Sequence, residues 1–423
     1  MSPTLRSADV TALREGAAEV LLGNLKEGWD AKYQTDYAYT CPSRTGGYPW
    51  QWFWDSCFHA IVLSSFDVKL AQKELRTLWK SQHPDGFIPH VVHWGSRFNL
   101  NLALSMQSKL SWRPKSTALI QPPVLAQAAL AVAERSQDEA FLAEAVDRVR
   151  RYYLWLHDHR DPDADSLISV ITPYETGMDH LPAYDEALGA RNPSRLGLQA
   201  RDRLLDLHNL VLGRNYNLDA IFRRDRFNVE DVLVNCLYAQ GLRAVSKLCA
   251  MAGDEPTADS IGRMAQRTEE AILSKLYDES SGTFWGLSGE REQPLKTLTV
   301  SSLMPIVLES ISPALVEELV QRHMLNEDEF WLPFPLPSVA KREPSFRPSA
   351  RFLIWRGPSW INVNWFIVGG LRRHGYAEVA DTIARRSAEM VFKSGFREFY
   401  NPFTGEGYGA KEFGWSTLVV EML

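Results

Sequence analysis

Across 423 residues almost no stretch alternates apolar and polar side chains with period two, while apolar residues recur at the spacing of a helix face. A chain patterned this way has little material for a sheet and must bury helix against helix. Helices are expected over 8–29, through about Ser65, and over 67–82, 116–135, 138–159, 194–212, 227–252, 257–276, 296–310, 313–324, 361–374 and 376–392, with a short closing helix from Phe413. That is about a dozen, in successive pairs. Loops fall over 33–47, 97–115, the proline-rich 331–348 and the glycine-rich 395–409. No fixed-period repeat and no linker divides the chain, so 1–423 reads as one domain.

The conspicuous motifs share a position. Tyr48-Pro-Trp-Gln-Trp-Phe-Trp-Asp-Ser56, Ala118-Leu-Ile-Gln-Pro-Pro123, Tyr174–Asp179, Asn228-Val-Glu-Asp231, Trp355-Arg-Gly-Pro-Ser-Trp360 and Phe413-Gly-Trp-Ser416 each stand at or just before a helix start. Roughly every second helix carries one. If consecutive helices run antiparallel, alternate N-termini lie at one end of the molecule. Six pairs closed into a ring would bring these motifs to one central pocket, which is the content of an all-α (α/α)6 barrel with long loops at its active-site end.

The most loaded stretch is Ile171-Thr-Pro-Tyr-Glu-Thr-Gly-Met-Asp-His-Leu-Pro-Ala-Tyr-Asp185. Pro173, Gly177 and Pro182 forbid a long regular helix there. Three acids, Glu175, Asp179 and Asp185, stand among aromatic residues. Acids near a helix start are favoured by its free N–H groups. Apolar surroundings can also hold a carboxyl protonated near neutral pH, as proton donation requires.

Composition narrows the classes. Net charge is −6, so no basic excess marks a nucleic-acid or anionic-membrane partner. Cys41, Cys57, Cys236 and Cys249 form no CxxC pair, and the His residues have no metal-like spacing, so no metal or cofactor is expected. With no apolar leader or spanning run, a cytoplasmic setting is expected. Fourteen tryptophans, mostly inside short motifs, offer flat faces to a sugar ring as well as core bulk. Oligomeric state leaves no mark in the sequence.

Taken in order, these motifs resemble the clan of (α/α)6 glycosidases that holds the trehalases and glycoside hydrolase family 63, over essentially the whole span from Tyr48 to Ser416. Trp54-Asp-Ser56 is similar to the clan's sugar-binding segment, and Gln121-Pro-Pro123 to its Gln-Pro-Pro. Glu175-Thr-Gly-Met-Asp179 resembles the segment with the catalytic acid, at Asp179. Glu398-Phe-Tyr400 resembles the segment with the catalytic base. His180 stands where the clan commonly has Asn. The compact length most resembles the bacterial mannosylglycerate and glucosylglycerate hydrolases. The resemblance implies cleavage of 2-O-α-D-mannosyl-D-glycerate or its glucosyl analogue, with inversion, to hexose and D-glycerate. Alternatives are a neutral α-glucosidase or trehalase-like enzyme, and a sugar-binding protein on the same barrel.

Inversion needs two carboxyls roughly 6.5–9.5 Å apart, with a water between one of them and the sugar. Asp179 is the expected acid and Glu398 the expected base, with Glu406 and Glu412 as competitors for the latter. Tyr48, Trp54, Asp55, Gln121, Tyr174 and Gly177 are expected around the sugar, and Arg356, Trp360 and Trp415 beside it. Asp231 and Asn235, one helical turn apart, either line the site or support it. A glycerate carboxylate calls for a planar guanidinium, and Arg214 with Tyr216 is the expected pair.

Overall fold

The computed structural model describes residues 6–96, 116–190, 193–212, 217–349 and 352–423. Its helices fall into two physical classes. Every residue of Phe53–Leu63 is buried, and Val232–Met251 and Ile361–Arg373 are buried over most of their surface. A helix enclosed on all sides belongs to the interior. Val68–Lys80, Glu255–Ala271 and Ala377–Ser394 bury one face and leave the other in water. Side-chain caps start several of them: Asp67 accepts from Leu70 N–H, Asp138 from Phe141 and Asp231 from Val234.

The interior elements pack in cyclic succession. Phe53–Leu63 lies on Leu125–Ser136, which lies on Val232–Met251, then the 3-10 helix Val300–Val307, Ile361–Arg373 and the 3-10 helix Gly414–Glu421, which returns to Phe53–Leu63. Outside them, Val68–Lys80 packs on the first two, Glu139–Arg160 on the second and third, Glu255–Ala271 on the third and Ala377–Ser394 on the fifth. Ser7–Gly23 lies on the last. The protein is mostly helical, as the periodicity implies. Among the described residues no helix is long and apolar enough to cross a membrane.

Several expected boundaries move. The first helix stops at Gly23, and 25–30 pairs with 35–40 as an antiparallel hairpin. Gly28 faces Tyr37 there, and a β-carbon would come within 2.6 Å of the Tyr37 hydroxyl. The 116–135 helix begins only at Leu125, because Pro122 and Pro123 exclude helical geometry just before them. The helix expected from 227 starts at Val232, after a two-residue strand paired with 287–288. The 296–310 helix shrinks to the 3-10 helix at 300–307, which contains Pro305, and 313–324 ends in a wide π turn. The loop at 395–409 is in fact a ribbon of Arg397–Tyr400 with Gly407–Lys411. Among the described residues five small sheets result, none above three strands.

Candidate active site

The acid-rich stretch forms two 3-10 turns, Pro173–Thr176, followed by Gly177 at φ 67°, and Pro182–Tyr184. Its approach is pinned by Val170 pairing with Val229. A β-carbon on Gly177 would stand 2.6 Å from the Trp54 ring, so glycine lets the segment lie on that indole. Glu175 is wholly buried and forms a two-pronged pair with Arg160 at 2.6 and 2.8 Å. It also accepts from Ile120 N–H and Ile171 N–H, which ties the segment to the Gln-Pro-Pro loop. Asp185 takes both prongs of Arg356, at 2.9 and 2.5 Å. Two of the three acids are thus held by arginines, and Asp179 is left facing the cavity.

Asp179 lines the cavity and is half-buried. Desolvation, first of all, drives its carboxyl up to about 7; His180 opposes this, and the charges of Asp202 and Glu398 add to it. Glu398, on the 397–400 strand, lines the same cavity and is 6% exposed. Tyr48 donates to its Oε1 at 3.0 Å and Ala410 N–H to its Oε2 at 2.9 Å. Burial raises Glu398 too, but these donors and the Arg397 charge pull the other way. Gly409 makes that approach possible, since a β-carbon would sit 2.3 Å from Oε2. Neither competitor for the base lines the cavity: Glu412 pairs with Arg44 at 2.8 Å, and Glu406 is exposed.

Tyr48, Trp54, Asp55, Gln121, Tyr174, Gly177 and Trp415 share this cavity with the two carboxyls. Asp55 is 2% exposed, and its Oδ1 is buried with no protein partner, so a carboxylate oxygen awaits a donor there. Gln121 accepts from Trp54 N–H at 3.1 Å, fixing the amide against the start of the Phe53–Leu63 helix. Trp415 donates to the Glu398 carbonyl at 3.1 Å, so its ring is held by the 397–400 strand.

Other expectations are corrected. Trp360 does not reach the wall: it is buried behind Trp355, parallel to it at 3.7 Å, and Trp355 presents the surface. Arg356 lies outside the lining, because Asp185 occupies its fork. Asp231 caps its helix and accepts from Tyr184 at 2.7 Å, while Asn235 exchanges hydrogen bonds with the backbone of Ile168; both support the site from behind. Arg214 and Tyr216 lie outside the described residues.

Sequence reasoning missed Trp50, Trp52 and His90 in the wall. A signal existed for the tryptophans: residues 48, 50 and 52 share one face of an extended run, and 51–52 is a strand paired with 91–92. His90 sits opposite, its Nδ1 2.6 Å from the Thr117 hydroxyl; burial lowers it to about 3, so it is neutral. Away from the cavity, Asp163, Asp165, Glu230 and Glu292 converge, and the Lys275 ammonium bridges Asp165 and Glu292. The cavity therefore offers carboxyls, aromatic faces and neutral hydrogen-bonding groups, suited to a polyhydroxylated ring.

Comparison with known proteins agrees. Residues 48–416 match the mannosylglycerate hydrolase MGH1-like glycoside hydrolase domain. The chain is 30% identical to the mannosylglycerate hydrolase of Thermus thermophilus over 411 residues, 90% of this chain and 95% of that one. It is 25% identical to the glucosylglycerate hydrolase of Mycolicibacterium hassiacum, over 88% and 91% of the two chains. The crystal structure of a GH63 mannosylglycerate hydrolase from Thermus thermophilus, in complex with Tris and D-glycerate, superposes with a TM-score of 0.82 at 28% identity, covering 97% of this chain and 99% of that one.

Proposed function

The chain belongs to the mannosylglycerate hydrolase MGH1-like glycoside hydrolase family, and from that premise we propose that it hydrolyses 2-O-α-D-mannosyl-D-glycerate, 2-O-α-D-glucosyl-D-glycerate or both, with inversion, to hexose and D-glycerate. The scaffold is a single (α/α)6 barrel over 1–423. The cyclic succession of six interior elements, each backed by an outer helix (Val300–Val307 by the 313–324 helix), supports that reading. The four cysteines, all free and buried, fit a reducing cytoplasmic setting.

One observation carries the mechanism. Two carboxyls face one cavity with different partners: Asp179, half-buried, is held near neutral pH by desolvation, and Glu398 is supplied with two donors. Asp179 gives its proton to the glycosidic oxygen as the bond to C1 breaks. Glu398 takes a proton from a water that attacks C1 on the opposite face. Asp55 accepts from sugar hydroxyls, His90 and Gln121 border the ring, and Tyr174, Trp54, Trp355 and Trp415 pack against its apolar faces. Arg214, with Tyr216, receives the glycerate carboxylate.

The test is a hydrolysis panel of mannosylglycerate, glucosylglycerate and trehalose, with the first-formed anomer followed by NMR. The expected result is turnover of a glycerate glycoside, with the β anomer appearing first. Preference for trehalose overturns the substrate, and α anomer first overturns the mechanism. Arg214→Ala is expected to raise KM for the glycerate glycoside far more than for a neutral α-glycoside. An equal effect on both removes Arg214 from that role.

A further inference from the structure

His180 follows the proposed acid directly and does not reach the cavity wall. Its backbone is left-handed, φ 63°, a conformation that residues other than glycine adopt uncommonly and that a local contact constrains here. The constraint is visible: His180 Nε2 lies 2.7 Å from Asp202 Oδ2. Asp202, on the Arg195–Leu212 helix, is 1% exposed, and its Oδ1 is buried with no partner. The same Oδ2 also receives the Tyr174 hydroxyl at 3.4 Å, and Tyr174 lines the cavity beside Asp179. One helix thus holds both neighbours of the acid through a single carboxylate.

We infer that His180, held by Asp202, is a positioning residue for the acid: its ring, bonded to Asp202, fixes the turn that presents Asp179 to the cavity. This rests on the reading of Asp179 as the general acid. The charge balance has few members. Asp179 feels His180 from its own segment, Asp202 from the helix and Glu398 from the ribbon. His180 feels Asp202, Asp179 and Arg356; Arg356 is paired with Asp185. Tyr174 also senses Asp206 and Arg203 on the helix. Burial disfavours charge on His180, but the Asp202 bond and the two nearby carboxylates outweigh it and raise its affinity for a proton. A charged His180 restrains the rise of Asp179, so the two titrate as a coupled pair.

The experiment is the pH profile of kcat/KM for wild type, His180→Asn and Asp202→Asn, measured on the natural glycoside and on the matching α-glycosyl fluoride, whose leaving group needs no acid. Asn tolerates the left-handed backbone, so His180→Asn is expected to fold. Removing the imidazolium leaves the Asp202 charge uncompensated. The alkaline limb on the glycoside should then move up by about one pH unit. Asp202→Asn removes the opposing charge as well and should fall between this variant and wild type. A loss of rate at every pH with an unmoved limb makes His180 structural only and overturns the inference. The acid assignment is checked separately: Asp179→Asn should lose the glycoside and keep the fluoride. Equal loss on both sinks that assignment, whatever His180 does.

Discussion

The segment carrying Asp179 and the ribbon carrying Glu398 solve one problem in opposite ways. The acid segment has no regular structure beyond single turns, and it gains rigidity from arginines: Arg160 on Glu175 and Arg356 on Asp185. Those pairs take up the neighbouring negative charge and leave Asp179 as the acid of the segment that faces the cavity, its proton affinity raised first of all by desolvation. The ribbon is a paired hairpin whose register shifts at Glu398, and it brings Ala410 N–H to that carboxylate while Tyr48 arrives from a distant part of the chain. Burial raises both carboxyls; it is opposed at Glu398 by two hydrogen-bond donors and at Asp179 chiefly by the His180 charge.

The comparison breaks first at the carboxyls. Glu398→Gln is expected to lower kcat by about 10²–10⁴-fold. A loss below tenfold in a steady-state assay would remove Glu398 from the base role.

The arginine clamp comes next. Arg160→Met leaves the Glu175 charge buried beside two backbone donors, and should cost about 3–5 kcal/mol of stability in urea denaturation. A cost near zero would mean that Glu175 takes up a proton instead.

Tyr48→Phe sharpens the contrast by removing one donor from Glu398. A donor favours the ionised form, so its loss raises the proton affinity of the base. The acid limb of kcat/KM should move to higher pH, with about a tenfold loss of rate below it. An unmoved limb would assign the control of Glu398 to Ala410 alone.

The smallest effect concerns stability. Asp179 titrates near 7 in the fold against about 3.9 in an unfolded chain. A raised carboxyl contributes stability at low pH that is lost as pH climbs through the folded value. Asp179→Asn, which carries no charge, should therefore gain about 1 kcal/mol more at pH 6 than at pH 5. Melting curves at the two pH values check the sign, and an equal change at both contradicts the raised carboxyl.

Much of this was legible in the chain because it is local. Pro173, Gly177 and Pro182 mark the acid stretch as irregular, and the apolar spacing over 361–374 gives a helix seen at Ile361–Arg373. Other features were not. Nothing in Arg356 says that Asp185, 171 positions away, will hold its fork, and nothing in Trp360 says that Trp355 will cover it. Helix starts were misplaced where a strand partner won, as at 229–230 with 287–288, because pairing energy depends on a segment that local spacing cannot see.

The sequence alone determined that helices dominate, where glycine and proline interrupt them, and which acids were available for chemistry. Those are properties of near neighbours, set by backbone sterics and the placement of apolar side chains. Tertiary structure alone decided which acid faces the cavity, which is neutralised by an arginine and which receives hydrogen bonds. Proton affinity depends on the dielectric and the donors within a few ångströms, and here those come from residues as far apart in the chain as Tyr48 and Glu398.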